Sequence, residues 1–159
     1  MESELLKEVR RLSQHYAFNS IQMHEAVARR AGLSGTDHKY LGFIMEKGQM
    51  TAGELSRLTG LTTGAVTGLI DRFEKKNLVR RKLIANDRRK VIIEPITENI
   101  MSLLVPLYTT FREKSAKLMA SFSEDQIKTI ETYFSGAIEI MKDVTAALNE
   151  STNSQSNGK

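Results

Sequence analysis

The 159-residue chain has no cysteine, only three histidines and only two prolines. Without cysteine there is no disulfide framework, no thiolate metal site and no thiol redox switch. The histidines, His15, His24 and His38, belong to no serine–histidine–carboxylate constellation. No glycine-rich phosphate loop and no pair of catalytic carboxylates can be argued either, and a His/Glu metal site has no ligand spacing behind it. Neither an enzyme nor a cofactor nor a bound metal is therefore expected. No apolar stretch approaches the roughly 20 residues that span a bilayer. The opening Met-Glu-Ser-Glu lacks the basic start and apolar run of a signal peptide. These absences point to a soluble, cytoplasmic chain of about one domain without a membrane partner, long enough for a real core.

Positive charge is present and concentrated. The formal net charge is +4, yet residues 72–90 hold nine Lys and Arg against Glu74 and Asp87, a local +7 that leaves −3 for the rest. One basic patch on a mildly acidic body indicates a localised polyanion contact.

The patch follows two short helical patterns that meet at Gly60-Leu61. Thr51 and Glu54 have the spacing of a capping box, with Met50 and Leu55 placed as a hydrophobic staple. Gly60 stands where a helix ends in the left-handed conformation at little steric cost. Thr62 is then a good N-cap for a second helix, and Leu61 and Val66 form a second staple. Two capped helices around one glycine make a helix-turn-helix. In the second helix Val66, Leu69, Ile70 and Phe73 recur at i, i+3, i+4 and i+7 and form a buried stripe. The opposite face carries Thr63, Gly64, Thr67, Gly68 and Arg72. Two interior glycines cost about 1 kcal/mol each relative to alanine, a cost explained by close approach of that face to another surface.

The remaining elements support this unit. Residues 4–31 read as a long helix stopped by Gly32, with an apolar stripe longer than a short neighbour can cover. Residues 34–47 read as a short helix capped by Ser34 or Thr36 and ended by Gly48. Asn77 takes the left-handed position after the second helix of the pair. Val79–Ile84 and Val91–Glu94 bracket a polar loop, 85–90, as a β-hairpin that Pro95 ends. Two long helices follow within 97–148, the first interrupted by Pro106, where a kink or a restart is expected. A capping box at Ser123 to Gln126 opens the second. Residues 149–159 lack apolar anchors and read as a disordered tail.

This order of elements, with Leu61 to Val79 leading into Asp87-Arg88-Arg89, resembles the multiple antibiotic resistance regulator (MarR) family of winged helix-turn-helix proteins. The likeness covers roughly residues 5–148, and the Asp-Arg-Arg of the wing is its most specific part. It implies a mainly α fold with a small β-hairpin wing: a DNA-binding lobe at 34–95, and terminal helices at 4–31 and 97–148 that interlock as a homodimer. It implies a bacterial transcription regulator that binds inverted-repeat operators and is released by a small aromatic or amphipathic effector. It further implies that Thr62–Lys76 enters the major groove while Arg88 and Arg89 reach the adjacent minor groove. The chain departs from the family pattern where Asn77 replaces a common Gly, where Gly68 replaces a larger polar or basic residue, and at Thr97-Glu98-Asn99-Ile100, the entry to the next helix.

The expected DNA contacts are thus Thr62, Thr63, Gly64, Thr67, Gly68, Arg72, Arg80, Arg81, Arg88, Arg89 and Lys90. Thr63 and Thr67 suit base edges, Arg72 a phosphate, and the wing arginines a narrow minor groove. About half of Arg80, Arg81 and Lys82 should face DNA, and Asp87 is expected to hold a wing arginine or cap the turn. His15 and Tyr16, or His24 and His38, are candidate linings of an effector cleft, with Tyr40, Tyr108 and Phe111 as candidate walls. Aromatics at helical spacing are more often plain core. The alternative function is a winged-helix adaptor or dimerisation module that binds protein instead of DNA. Duplex binding that falls with salt separates the two.

Overall fold

The computed structural model describes residues 3–84 and 87–156, with side chains outside 84–90 and 150–156. Its elements run α1 (Glu4–Arg30), α2 (Gly35–Lys47), β1 (Met50–Thr51), α3 (Ala52–Thr59), α4 (Thr63–Lys75), β2 (Val79–Ile84), β3 (Asp87–Pro95), α5 (Thr97–Met119) and α6 (Glu124–Ser156). Two compact units divide within α5, at Thr109/Thr110.

Each turn of the helix-turn-helix forms for a local reason. The Thr51 hydroxyl accepts from the Glu54 N–H at 3.2 Å, and the Glu54 carboxylate accepts from the Thr51 N–H at 2.6 Å, completing the capping box. Gly60 closes α3 at φ 71° and ψ 8°, left-handed as expected, and Thr62 caps α4 by accepting from the Ala65 N–H. At the far end of α4, Asn77 adopts φ 55°. The Leu78 N–H donates to the Phe73 carbonyl and the Asn77 N–H to the Glu74 carbonyl, the two bonds of a Schellman motif. Asn serves here because its side chain tolerates the left-handed region better than most.

The core of this unit gathers the α4 stripe, Val66, Leu69, Ile70 and Phe73, with Leu41, Ile44, Leu55, Ile93 and Ile100, all at most 2 % exposed. Asp37 is the one buried charged residue among the described ones.

The wing is a three-stranded antiparallel sheet in the order β1-β3-β2, not the expected two-stranded hairpin. β1 is two residues, pairing Met50 with Ile93 and Thr51 with Ile92. Two residues leave no alternation to read, and Thr51 doubles as the α3 cap, which is the stronger sequence signal. β2 has the expected bounds, whereas β3 begins at Asp87, four residues before the expected Val91. The register shifts between Leu83, opposite Val91, and Ile84, opposite Asp87. Arg88, Arg89 and Lys90 therefore lie on an irregular strand, not in a loop. Bulges of this kind disturb the period-2 pattern from which a strand is recognised. Ala85 and Asn86, expected at the loop tip, lie outside the described residues.

Helix α5 runs through Pro106 without a restart. The Ser123–Gln126 capping box opens α6, with the Gln126 side chain accepting from the Ser123 N–H at 2.8 Å. The helix continues to Ser156, past Asn149 where a disordered tail was expected. A helix satisfies its own backbone, so this extension needs no apolar anchor. In the second unit, Thr110–Lys159, no described residue is buried. Phe111, Leu118, Phe134, Ile138, Met141 and Leu148 stand 44–62 % exposed there. No helix among the described residues is long and apolar enough to cross a membrane.

Candidate nucleic-acid interface

The outward face of α4 is open. Thr62, Thr63, Gly64 and Thr67 are exposed and Gly68 half-buried. A Cβ built at Gly64 would meet nothing within 4 Å, and one at Gly68 only Arg72 Nη1 at an ordinary 3.7 Å. Neither glycine is demanded by packing within the chain. The Thr67 hydroxyl donates to the Thr63 carbonyl at 3.0 Å, one turn back. Its single proton is thereby used, leaving its oxygen an acceptor toward the outside and its methyl free to touch a thymine methyl.

The basic residues are less free than the sequence suggests. Arg72 lies back against α2, its Nε and Nη2 donating to the two Asp37 oxygens at 3.1 and 2.7 Å. This two-point bond raises Arg72 further above neutrality, so the guanidinium stays charged while its fork is occupied. Arg81 folds back on α4, bonding Asp71 at 2.6 Å and Glu74 there, while its backbone N–H donates to Glu74. The hydrogen bond to Asp71, ahead of the Glu74 charge, likewise raises its pKa. Arg80 and Lys82 share the other face of β2. Arg80 donates to Glu94 at 2.5 Å and Lys82 stands 3.9 Å from it. Bonds first from Arg80 and then from Gln49 hold Glu94 below the usual carboxylate range. Asp71 and Glu94 lie just outside the 72–90 window; across 71–94 the excess is nine basic against four acidic residues, or +5. Lys75 and Lys76 are exposed and form no ion pair among the described residues. The strand backbone places Arg88, Arg89 and Lys90; their side chains lie outside the described ones.

The expected effector residues divide. His38 and Tyr108 come together, the phenol oxygen lying 3.2 Å from His38 Nε2. His24 joins them at 2.5 Å through Nδ1. This histidine had only a weak signal in the sequence, being 84 positions from Tyr108. His24 and His38, with Ile21, Glu25, Thr36 and Lys39, line a cleft of about 600 Å³ between α1 and α2. Tyr40 belongs to the core instead, and His15 and Tyr16 are exposed on α1. Phe111 is exposed in the second unit. No cluster of three or more His, Asp or Glu suited to a metal occurs among the described residues.

Residues 31–90, from the end of α1 to the wing, match the model of the MarR family. The chain is 38 % identical over 144 residues to the uncharacterized HTH-type transcriptional regulator YcgE of Bacillus subtilis, covering 89 % of this chain and 91 % of that one. It is 26 % identical over 113 residues to the B. subtilis regulator MhqR, covering 70 % and 77 %. Among solved structures, a MarR family protein from Bacillus stearothermophilus superposes with a TM-score of 0.68 at 23 % identity, over 89 % of this chain and 99 % of that one. A MepR mutant of S. aureus bound to an oligodeoxyribonucleotide gives 0.56 at 19 % identity, over 88 % and 99 %. With a helix-turn-helix, a wing and a relative matched over nearly its full length, the chain belongs to the MarR family of transcription regulators.

Proposed function

We propose that the protein is a ligand-responsive repressor that binds an inverted-repeat operator as a homodimer. The observation that carries the reading is the open α4 face: Thr63, Gly64 and Thr67 present small groups and hydrogen-bonding atoms with no protein against them. A major groove admits one α-helix, and the first turns of that helix carry the readout. Thr62 at the helix start leaves N–H groups for a phosphate. Arg80 and Lys82 share a wing face, and Arg88, Arg89 and Lys90 extend the basic run toward the minor groove. Arg72 acts through its bond to Asp37 and Arg81 through α4, so both serve position before contact. The structural relative MepR has been seen with an oligonucleotide, which supports the same use of this fold here.

The homodimer reading rests on exposed apolar surface. The unit Thr110–Lys159, in which no described residue is buried and Phe134, Ile138 and Met141 are exposed, lacks a core of its own. Monomers seldom leave so large a contiguous apolar face to water. A second copy supplies the missing cover. The cleft beside His24 and His38 is the place for a small aromatic or amphipathic effector.

In vitro selection from random duplex DNA tests the reading. It should return a palindrome whose half-sites lie about one helical turn apart. Affinity should fall steeply with salt through counterion release. Arg89→Ala should weaken selected and random duplex alike, read by gel shift at physiological salt; unchanged affinity would remove the wing from the interface. Sedimentation should give twice the chain mass, and a monomer at micromolar concentration contradicts the two-half-site arrangement.

A further inference from the structure

The first turn of α2 carries two consecutive side chains bonded to different helices. Asp37, 9 % exposed, holds the Arg72 fork of α4. His38 bonds Tyr108 of α5, whose phenol oxygen also meets His24 of α1. The phenol has one proton for two imidazole neighbours. With both rings neutral, Tyr108 donates to one and accepts from the other. One added proton is absorbed by orienting the chain of bonds, so that the charged ring donates to Tyr108 and Tyr108 donates to the other ring. A second proton has no such arrangement: two imidazoliums, with ring centroids 5.7 Å apart, face one oxygen whose own proton has lost its acceptor.

Other groups fix the direction. Burial, then the charge on His24, keeps His38 below the ordinary imidazole value. Burial keeps Tyr108 above the ordinary phenol value, so it retains its proton. Lys39 on α2 opposes a charge at position 38. Glu25 of α1 lines the same cleft, and Asp37, the preceding residue on α2, is already engaged by Arg72.

We propose that this turn is a proton-sensitive joint: a second proton on the His24–Tyr108–His38 cluster breaks its bonds to α1 and α5, the first turn of α2 that also carries Asp37 shifts with it, and the recognition helix loses its Arg72 tether, so specific duplex binding weakens in acid. The link to binding rests on the operator reading above. The sign follows from linkage. The native state takes up the His38 proton less readily than the unfolded chain, so the cluster's contribution is complete above about pH 6.5 and is lost as pH falls below it. Simple electrostatics has the opposite sign, because added histidine charge strengthens contact with a polyanion.

Two measurements on the full chain test the joint. By NMR without DNA, the Arg72 Nε–H signal should move as His38 titrates, and His38 should titrate below the ordinary imidazole value. Tyr108→Phe should shift the His38 midpoint. An Arg72 signal that stays constant through the His38 titration overturns the joint. In gel shifts at fixed salt, affinity for the selected palindrome should fall about tenfold from pH 7.5 to 5.5, while a random duplex of equal length loses none. His38→Gln, with its fold checked by circular dichroism, should shrink that ratio below about twofold; an undiminished acid loss in this variant also overturns the joint. If no duplex is bound at any pH, the operator reading fails and the NMR arm alone decides the joint.

Discussion

Replacing Gly64 with leucine should make the isolated protein more stable and its operator binding weaker. Glycine inside a helix costs up to about 1 kcal/mol relative to alanine, and leucine is nearly as good a helix former. A Cβ at this position meets open space, so nothing in the chain offsets the gain. Its place in the first turn of α4, beside Thr62 and Thr63, keeps the benefit toward the lower end of that range. Against DNA the same carbons would hold the helix away from the groove floor, displacing Thr63 and Thr67 from their hydrogen-bonding range. Losing one or two base contacts costs roughly 1–3 kcal/mol, about five- to a hundred-and-fifty-fold in affinity. Urea denaturation and gel shifts on one preparation read the two signs together. A leucine variant that gains stability and still binds the selected duplex at full strength would take the start of α4 out of the interface. Gly68→Ala should show the same opposition more mildly, since its Cβ would rest 3.7 Å from Arg72 Nη1.

The parts of this fold legible in the sequence are those whose physics acts within a few residues. The Thr51–Glu54 box, the left-handed Gly60 and Asn77 and the Val66–Phe73 stripe are relations of three to seven positions, and each stands where expected. What escaped depends on pairing across the chain. Asp37 and Arg72 are 35 positions apart, so Arg72 reads as a free phosphate ligand until the fold brings the carboxylate to it. Arg81 likewise looks unpaired until β2 brings it onto Asp71 and Glu74. β1 is too short to show alternation, and β3 starts inside a basic run whose irregular register hides it. The charge count erred for a related reason: its window began one residue after Asp71 and stopped four before Glu94. On the operator reading, recognition therefore leans less on Arg72 and Arg81 and more on the open face of α4 than composition alone indicates.

Phe73→Ala should be the most damaging single change, at about 3–5 kcal/mol for a fully buried phenylalanine. Phe73 is 0 % exposed and the largest of the fully buried side chains. The cavity cannot close by moving the helix, because α4 is fixed along its length. Thr62 caps its start, Asp37 grips Arg72 one residue away, and Asp71 and Glu74 hold β2 through Arg81. The Phe73 carbonyl itself accepts from the Leu78 N–H in the turn that leads to the wing. Partial collapse is the usual route by which such a substitution becomes cheap, and here the neighbours are held, so the cost belongs in the upper half of the range. That is a large share of the roughly 5–15 kcal/mol by which a domain is stable. The urea midpoint should fall with the slope m unchanged, as for lost stability without a change in exposed area. Duplex affinity should fall beyond what the unfolded fraction explains, because the same ring sets how far the Thr63–Thr67 face projects. A midpoint lowered by less than about 1 kcal/mol would mean that α4 can settle into the vacancy, and that its tethers to α2 and β2 are weaker than their geometry indicates.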